Sequence, residues 1–434
     1  MKMKKSFILI LLSIPAVLLS CQQLEPDVFD KPSSARMSDF LSDIRTALSS
    51  EQYGWTLDYF PGSKYAGITY ALSFTDQKVT ASSELDPANK VTSTFALKTD
   101  DGAVLSFDTY NTVLHEYATP NSTKYQAKGG DFEFEIRSFD KTSKEIVMVG
   151  KRSRNTCTLR PLTRSSEEYF TAMKAYEASL NVAAFEGSIG DSLVVGFIDD
   201  ATRTISISPK ADDSQSVDVR YIVTDNALRL MTPLTYNGVE FTDFVVNPAA
   251  ETITGGGISF GKIIPQGYLS FEQLLGRYKL AYSGGSMTVT LEDDGSGKSF
   301  NMAGLSSAWK LPIRYNSGRG RIAFNVQQLG GGGSYTYWFC ALDGALKQFS
   351  WSEDNGMYSV VDDETLPNFT LSFVDDGNYD GGDEWTGWVS FYITAFAGAP
   401  TSDSYDPDGL PSEWNFTGDV PYLHGPITIQ KIVE

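Results

Sequence analysis

The residues best suited to hold a metal ion lie in a turn near the C-terminal end of this 434-residue chain. Asp376-Gly-Asn378-Tyr-Asp380-Gly follows the D-x-N-x-D-G start of a calcium loop, in which alternate oxygens converge on the ion. The twelfth position is Gly387 rather than glutamate, which excludes an intact EF-hand. The pattern predicts calcium as the one cofactor, and solvated acidic turns are the alternative. The predicted ligands are Asp376, Asn378, Asp380, Asp383 and Glu384.

The C-terminal third as a whole is acidic and rich in tryptophan. It has no Lys or Arg between Lys347 and Lys431, and it contains every tryptophan of the chain except Trp55. Exposed flat rings beside acids and amides suit the apolar faces of sugars, although β-sheet cores also use large aromatic residues. Ligand contacts are predicted at four aromatic residues in or beyond the acidic turn: Tyr379, Trp385, Trp388 and Trp414.

Two catalytic motifs fail in their sequence context. Gly257-Ile-Ser259-Phe-Gly261 matches a nucleophile elbow, but that motif needs a helix directly after the serine, and Lys262-Ile-Ile-Pro265 follows instead. Gly297-Lys298-Ser299 resembles the end of a phosphate loop, but Glu292 occupies the place of the required glycine. No catalytic residue is therefore predicted. Paired carboxylates for glycoside hydrolysis remain an alternative, because they leave no fixed spacing.

Histidine and cysteine give little support for a metal or redox site. The two histidines, His115 and His424, are far apart and do not form a zinc motif. After Cys21 only Cys157 and Cys340 remain. A disulfide between them is compatible with an oxidising compartment, but two buried thiols are the favoured interpretation.

The N-terminus follows the pattern of a bacterial export signal. Three lysines within the first five residues precede an apolar run, Phe7 to Leu19, that is short for a membrane span of about 20 residues. The run ends in Leu-Leu-Ser-Cys21, which resembles the lipobox of proteins that are acylated on the cysteine and cleaved before it. We expect residues 1–20 to be a signal peptide and Cys21 to carry the lipid, with a span that is never cleaved as the alternative.

The charge balance excludes one class of partner. The chain has 35 Lys and Arg against 54 Asp and Glu, a formal net charge of −19, and removal of the signal peptide would take away three more lysines. Such a surface repels nucleic acid, since binding to phosphate depends on Lys and Arg. Neutral or cationic ligands, or a divalent metal ion, are favoured.

The elements that must position these residues are mostly strands. Apolar residues alternate in runs such as Trp55 to Tyr59, which is typical of antiparallel strands with one buried face. Helical spacing occurs from Met37 to Leu48 and again after Ser165, whose spacing to Glu168 fits a capping box. A further short helix is predicted over Asp108 to Ala118.

The predicted fold is mainly β and multidomain, with antiparallel sandwich-like or barrel-like units and a few short helices. A chain of this length exceeds what one core usually organises. After the signal peptide we expect a lipidated tether (21–32), an N-terminal β-meander domain with a helix (33–162), a linker helix with a second β unit (163–265), and a Trp-rich acidic β domain (266–434).

The first half of the chain resembles a known family. Three segments carry the resemblance, in this order: Trp55-Thr-Leu-Asp-Tyr-Phe-Pro-Gly, Leu105-Ser-Phe-Asp-Thr-Tyr-Asn-Thr-Val-Leu-His and Gly129-Gly-Asp-Phe-Glu-Phe. The family is a group of Bacteroidota lipoproteins of unknown function (domain of unknown function 4302), and the similarity covers about residues 25–240. It implies export, a lipid anchor, an all-β body and an association with outer-membrane systems that take up glycans or peptides. It carries no known active site.

Together these features favour a non-catalytic accessory binding protein of an outer-membrane nutrient-uptake system. We expect it to be held by its lipid to the outer membrane, in the periplasm or at the cell surface, and to capture a glycan or a protein-derived ligand at its C-terminal loops. Two alternatives remain. One is a carboxylate-based hydrolase acting in the same region, and the other is a structural partner of an uptake complex without a small ligand.

Overall fold

The computed structural model describes residues 31–63, 65–120, 127–363, 367–379 and 386–433, with the side chains of Asp213 and Asp363 excepted. In these segments antiparallel strands predominate and only three helices occur, which confirms the mainly β class. None of the helices in these segments is both long and apolar enough to span a bilayer. Several predicted residues lie outside the described segments: Cys21, Asp380, Asp383, Glu384 and Trp385.

The first unit is a curled sheet of nine strands with one helix, α1 (Ser33–Ser50). The strands are β1 Trp55–Tyr59, β2 Ile68–Phe74, β3 Lys78–Ser83, β4 Val91–Thr94, β5 Ala96–Thr99, β6 Ala103–Ser106, β7 Glu133–Phe139, β8 Ile146–Gly150 and β9 Thr156–Pro161. Their order is β4-β3-β2-β1-β9-β8-β7-β6-β5. The two edge strands are joined by Phe95 alone, so the sheet curls until its edges are close together. Helix α1 buries Ile44, Ala47 and Leu48 in the core of this unit.

The second unit is a closed barrel of eight strands preceded by helix α2 (Ser166–Ser179). Its strands are β10 Ala184–Ile189, β11 Ser192–Asp199, β12 Thr204–Pro209, β13 Val217–Val223, β14 Leu228–Tyr236, β15 Val239–Asn247, β16 Thr252–Gly255 and β17 Ile258–Lys262. The predicted capping box is present: Ser165 accepts from the backbone N–H of Glu168, and the Glu168 carboxylate accepts from that of Ser165. Ser259 lies in the β16–β17 hairpin, so the serine is not at a strand-to-helix turn.

The third unit combines a second closed barrel with a smaller sheet around one shared core. It opens with the short helix α3 (Phe271–Leu274). Its strands are β18 Gly276–Tyr282, β19 Gly285–Asp293, β20 Ser299–Ala303, β21 Leu311–Asn316, β22 Arg321–Asn325, β23 Gln327–Gly332, β24 Tyr335–Asp343, β25 Phe349–Ser350, β26 Gly356–Asp363, β27 Thr370–Asp375, β28 Trp388–Ala397, β29 Tyr422–Leu423 and β30 Thr428–Lys431. The barrel order is β18-β19-β20-β21-β22-β26-β27-β30, and β23-β24-β28-β29 form the smaller sheet with β25 attached to β24.

The helix predicted over Asp108 to Ala118 is wrong. This segment forms a series of hydrogen-bonded turns instead. The Asn111 side-chain oxygen accepts from the backbone N–H groups of Val113 and Leu114, at 3.0 and 3.2 Å. Such side-chain bonds satisfy the backbone locally and compete with a continuous helix. The cysteines follow the favoured interpretation: Cys157 and Cys340 are free, buried and in different units.

Buried ion pairs connect the second unit to the first. Arg203 Nη1 lies 2.5 Å from Glu84 Oε1 and Arg203 Nη2 lies 3.1 Å from Glu177 Oε1 on α2. Arg229 Nη1 lies 3.3 Å from Asp58 Oδ2 on β1. The Arg203, Glu84 and Asp58 side chains are at most 7% exposed, so the contact between the two units excludes water around these charges.

Candidate functional site

A groove lies between the first and third units. Its main cavity has a volume of about 490 Å³, and a second cavity of about 300 Å³ lies next to it. Tyr65 and Glu353 line both cavities, so the two are adjacent. The second cavity also reaches the second unit at Ala201 and Thr202. The groove is therefore built from all three units and has the size of ordinary ligand sites, about 300 to 1,000 Å³.

One wall of the groove is the loop between β1 and β2. Arg220, on β13 of the second unit, donates to the carbonyl oxygens of Pro61 and Tyr65, each at 2.7 Å. Asn155 donates to the carbonyls of Phe60 and Pro61, at 2.8 and 2.7 Å. Burial lowers the pKa of Arg220 to about 10. The buried guanidinium of Arg220 thus donates to backbone carbonyls of this loop and holds the groove wall in position.

Two glycines let this loop approach its neighbour closely. The Gly62 N–H donates to the carbonyl of Lys128 at 3.0 Å. A Cβ on Gly129 would lie 3.0 Å from the Gly62 Cα, and the φ of Gly129 is +67°. A larger residue at Gly129 would therefore be strained and would push the two loops apart.

The opposite wall comes from the third unit and carries the aromatic surface. Trp351 lines the main cavity and is half-buried, with Phe349 and Phe396 against it at ring-centroid distances of 5.4 and 5.7 Å. Trp338 also lines the cavity but is only 2% exposed, so little of its ring is accessible. Gln328 lines the same wall but is 8% exposed, and its amide donates to the carbonyl of Gly330 at 3.2 Å. The wall therefore offers one fixed and partly accessible indole ring, that of Trp351.

The two walls carry opposite charges. Lys128 and Arg152 line the main cavity from the first unit, and Glu353 and Asp354 line it from the third. Lys128 Nζ lies 3.0 Å from Glu116 Oε1. An arrangement of one aromatic surface and several donors and acceptors can bind a polar ligand with flat apolar faces, such as a chain of sugar rings.

The prediction that Trp388 contacts ligand is wrong. Trp388 begins β28 and is 1% exposed, so its indole belongs to the core of the third unit. Tyr379 is 41% exposed, and its ring lies against Trp388 at a centroid distance of 5.4 Å. Trp414 is half-buried, with Tyr337 at 4.5 Å and Gly330 beneath its ring. Tyr379 and Trp414 do not line the groove, and ligand contacts there stay predictions.

The described part of the predicted calcium loop is a turn next to the groove wall. Asp376 Oδ1 accepts from the backbone N–H of Asn378 at 3.0 Å, and the Asn378 amide donates to the carbonyl of Asp354 at 2.9 Å. Burial, with Asp375 close by, raises the pKa of Asp376 to about 6. Over the segments that the structure describes, no group of three or more metal-ligating His, Cys, Asp or Glu side chains occurs. The calcium site stays a prediction, because three of its five residues lie outside those segments.

The histidines have packing roles. His115 is 7% exposed and stacks on Phe132 at 5.2 Å, and burial lowers its pKa. The His424 ring lies 4.2 Å from the ring of Tyr422.

The groove residues were not predicted as a site. One local signal could have indicated Trp351: it stands in Trp-Ser-Glu353-Asp354-Asn, a polar turn between two strands, where an indole is unusual in a core role. Tyr65 and Arg152 carry no such signal. They reach the groove only because the first unit is docked against the third.

Fold and groove define an all-β protein of three sheet or barrel units with a ligand-sized groove between them. The chain belongs to the family described as "Domain of unknown function (DUF4302)", whose model matches residues 25–248. Residues 252–382 match a second model, DUF4987, also described as a domain of unknown function. The predicted match to this domain family over about residues 25–240 is confirmed, and the link to Bacteroidota lipoproteins stays a prediction. Neither description states an activity.

Comparison with other proteins adds little. No curated protein matches the chain. Among solved structures, a double mutant of transferrin binding protein B from Haemophilus parasuis is 9% identical, with 86% of this chain and 67% of that chain covered and a TM-score of 0.14. The β subunit of DNA polymerase from Streptococcus pyogenes is 10% identical, with 74% and 96% covered and a TM-score of 0.10. TM-scores this low support no conclusion about the fold or the function of this chain.

Proposed function

We propose that this protein is an exported, lipid-anchored accessory of an outer-membrane nutrient-uptake system and that its groove captures an oligosaccharide. The observation that carries the proposal is the groove with Trp351 on one wall and charged side chains around it. A sugar ring stacked on the indole would leave its hydroxyls to these polar groups. Two adjacent cavities suit a short chain of sugars better than a single sugar.

The groove favours binding over hydrolysis. Two carboxylates on either side of the scissile bond are the usual requirement for cleaving a glycosidic link. Among the described lining residues the acids are Asp294, Glu353 and Asp354, and all three come from the third unit. The opposite wall of the main cavity presents Lys128 and Arg152 instead.

The experiment compares two tryptophans of one core. Trp351→Ala should weaken retention of the purified protein on a glycan array, and weaken the affinity for a bound glycan about tenfold, because roughly 1.4 kcal/mol of stacking is lost. Trp414→Ala is the matched control: Trp414 packs against the same core but does not line the groove. Its affinity should equal that of the native chain.

The possible outcomes separate the rival functions. Loss in Trp414→Ala with full binding in Trp351→Ala would place the ligand on the outer loops and overturn the groove. Release of a shorter glycan, abolished by Glu353→Gln, would identify a hydrolase. Binding of peptides but not glycans would change the ligand class, and binding of neither would favour a structural partner of an uptake complex.

A further inference from the structure

The interior of the second barrel is close-packed over part of its length. Phe185, Phe241, Phe244 and Phe260 contact one another at ring-centroid distances between 5.2 and 6.4 Å. Gly196 faces the Phe185 ring, and a Cβ there would lie 2.1 Å from that ring. The absence of a side chain at Gly196 thus leaves space for the Phe185 ring inside the barrel.

One mouth of the same barrel is not filled. At the end where β11 and β13 finish and β14 begins, a cavity of about 320 Å³ remains. Its floor is formed by four apolar side chains that are at most 5% exposed: Ile198, Val223, Leu228 and Val246. An eight-stranded barrel has an interior that side chains can just fill or that can hold one small ligand. Close packing elsewhere in this barrel makes the open mouth a distinct feature.

Polar groups from the barrel and from its neighbours form the rim of this cavity. Lys298, in a turn of the third unit, has its Nζ 2.9 Å from Glu177 Oε1 at the end of α2. Ser317 donates its hydroxyl to Asp200 Oδ1 at 2.6 Å. The described rim therefore carries two carboxylates and one ammonium group above an apolar floor.

We propose that this space, the barrel-mouth cavity, binds a small amphipathic molecule. Its apolar body lies on the floor, and a hydroxyl or amine head donates to Asp200 at the rim. Glu177 is paired with Lys298 and Arg203, so Asp200 is the rim carboxylate that disfavours an anionic head. The barrel-mouth cavity shares no lining residue with the groove, so the two sites can be tested separately.

The test uses N-phenyl-1-naphthylamine, a neutral fluorescent probe with an apolar body and one N–H donor. The native chain should take it up saturably with one site per chain. Ala183→Leu adds apolar bulk to the lining of the cavity and should weaken the affinity for the probe about tenfold or more. Ala211→Leu is the matched control, because Ala211 is exposed in the turn after β12 at the other end of the barrel, and its affinity should be unchanged.

The proposal is overturned if the native chain shows no saturable uptake, or if Ala183→Leu binds the probe as tightly as the native chain does. If circular dichroism shows that Ala183→Leu is unfolded, Leu180→Trp is the second variant. Leu180 also lines the cavity and is half-buried, so a tryptophan there should weaken the affinity for the probe in the same way. The sulfonated analogue of the probe should bind more weakly. Equal affinity for it would refute the assignment of the head group.

Discussion

Removal of Arg203 should uncouple the first two units. Its guanidinium is 7% exposed and lies between Glu84 of the first unit and Glu177 of α2. It also donates to the carbonyl of Gly67 at 2.8 Å. Burial opposes its charge, but the two carboxylates raise the pKa of Arg203 above its ordinary value, so the side chain stays ionised. Arg203→Met keeps an apolar side chain as far as the position of the arginine Nε while removing the charge and the donors of the guanidinium.

The cost follows from the charge that is left behind. In Arg203→Met the Glu84 carboxylate, 5% exposed, loses its cation and stays buried. Breaking one partner of a buried ion pair costs about 3 to 5 kcal/mol, a large part of the stability of a typical domain. In the double variant Arg203→Met/Glu84→Gln no charge is stranded, and the amide oxygen can still accept from the Thr69 N–H, now 3.1 Å from Glu84 Oε2. We expect it to recover about 2 kcal/mol of the loss.

The assay is urea unfolding at neutral pH, followed by circular dichroism and by tryptophan fluorescence. Arg137→Met is the control, because Arg137 is 49% exposed and pairs with Glu135 at the surface. Such a pair contributes no more than about 1 kcal/mol. An unfolding free energy of Arg203→Met within about 1 kcal/mol of the native value would refute the reasoning. A double variant as unstable as Arg203→Met would refute the part assigned to the stranded charge.

Three further predictions concern pH, calcium and the anchor. The pKa of Asp376 is raised to about 6 in the folded chain, so the contribution of this group to stability is fully present below about pH 4 and is lost as the pH rises through 6. In the presence of chelator, the unfolding free energy of Asp376→Asn should therefore increase relative to that of the native chain between about pH 4 and pH 8. If the loop at Asp376 and Asn378 binds calcium, millimolar calcium should raise the melting temperature of the native chain but not of Asp376→Ala; an equal melting temperature with and without calcium speaks against the site. Cys21→Ala should move the cellular protein from the detergent phase to the aqueous phase in a Triton X-114 partition, and a variant still found in the detergent phase would contradict lipidation at this residue.

Local patterns predicted the elements well because their causes are local. The alternation of Trp55, Leu57 and Tyr59 places those side chains in one core, and the Ser165 and Glu168 pair caps α2. The failure at Asp108 to Ala118 has the same origin: one asparagine at position 111 satisfies nearby N–H groups and so stops a helix that the apolar spacing favours.

The position of the groove could not be predicted from local sequence patterns, because it depends on contacts between distant parts of the chain. Trp388 and Trp351 stand in similar polar surroundings in the sequence, yet the first is 1% exposed and the second lines the groove. The difference arises from the pairing of β28 with β24, which places the Trp388 ring inside the third unit. Tyr65 and Trp351 are separated by nearly 300 residues and meet only through the docking of units, which no spacing rule expresses.

The groove and the contact between the first two units are physically linked. Arg220 donates to the carbonyls of Pro61 and Tyr65, and Arg203 donates to that of Gly67, so two arginines of the second barrel hold the loop that forms one groove wall. Displacing the barrel would release that wall. Conversely, a ligand that contacts both walls of the groove binds only while this loop is held in place. The free energy of its binding therefore also stabilises that position of the loop. Arg220 is buried, and no carboxylate accepts from it among the described residues, so burial of its charge costs free energy. The fixed position of the loop, held by its hydrogen bonds to the carbonyls of Pro61 and Tyr65, is the structural role that explains this arginine.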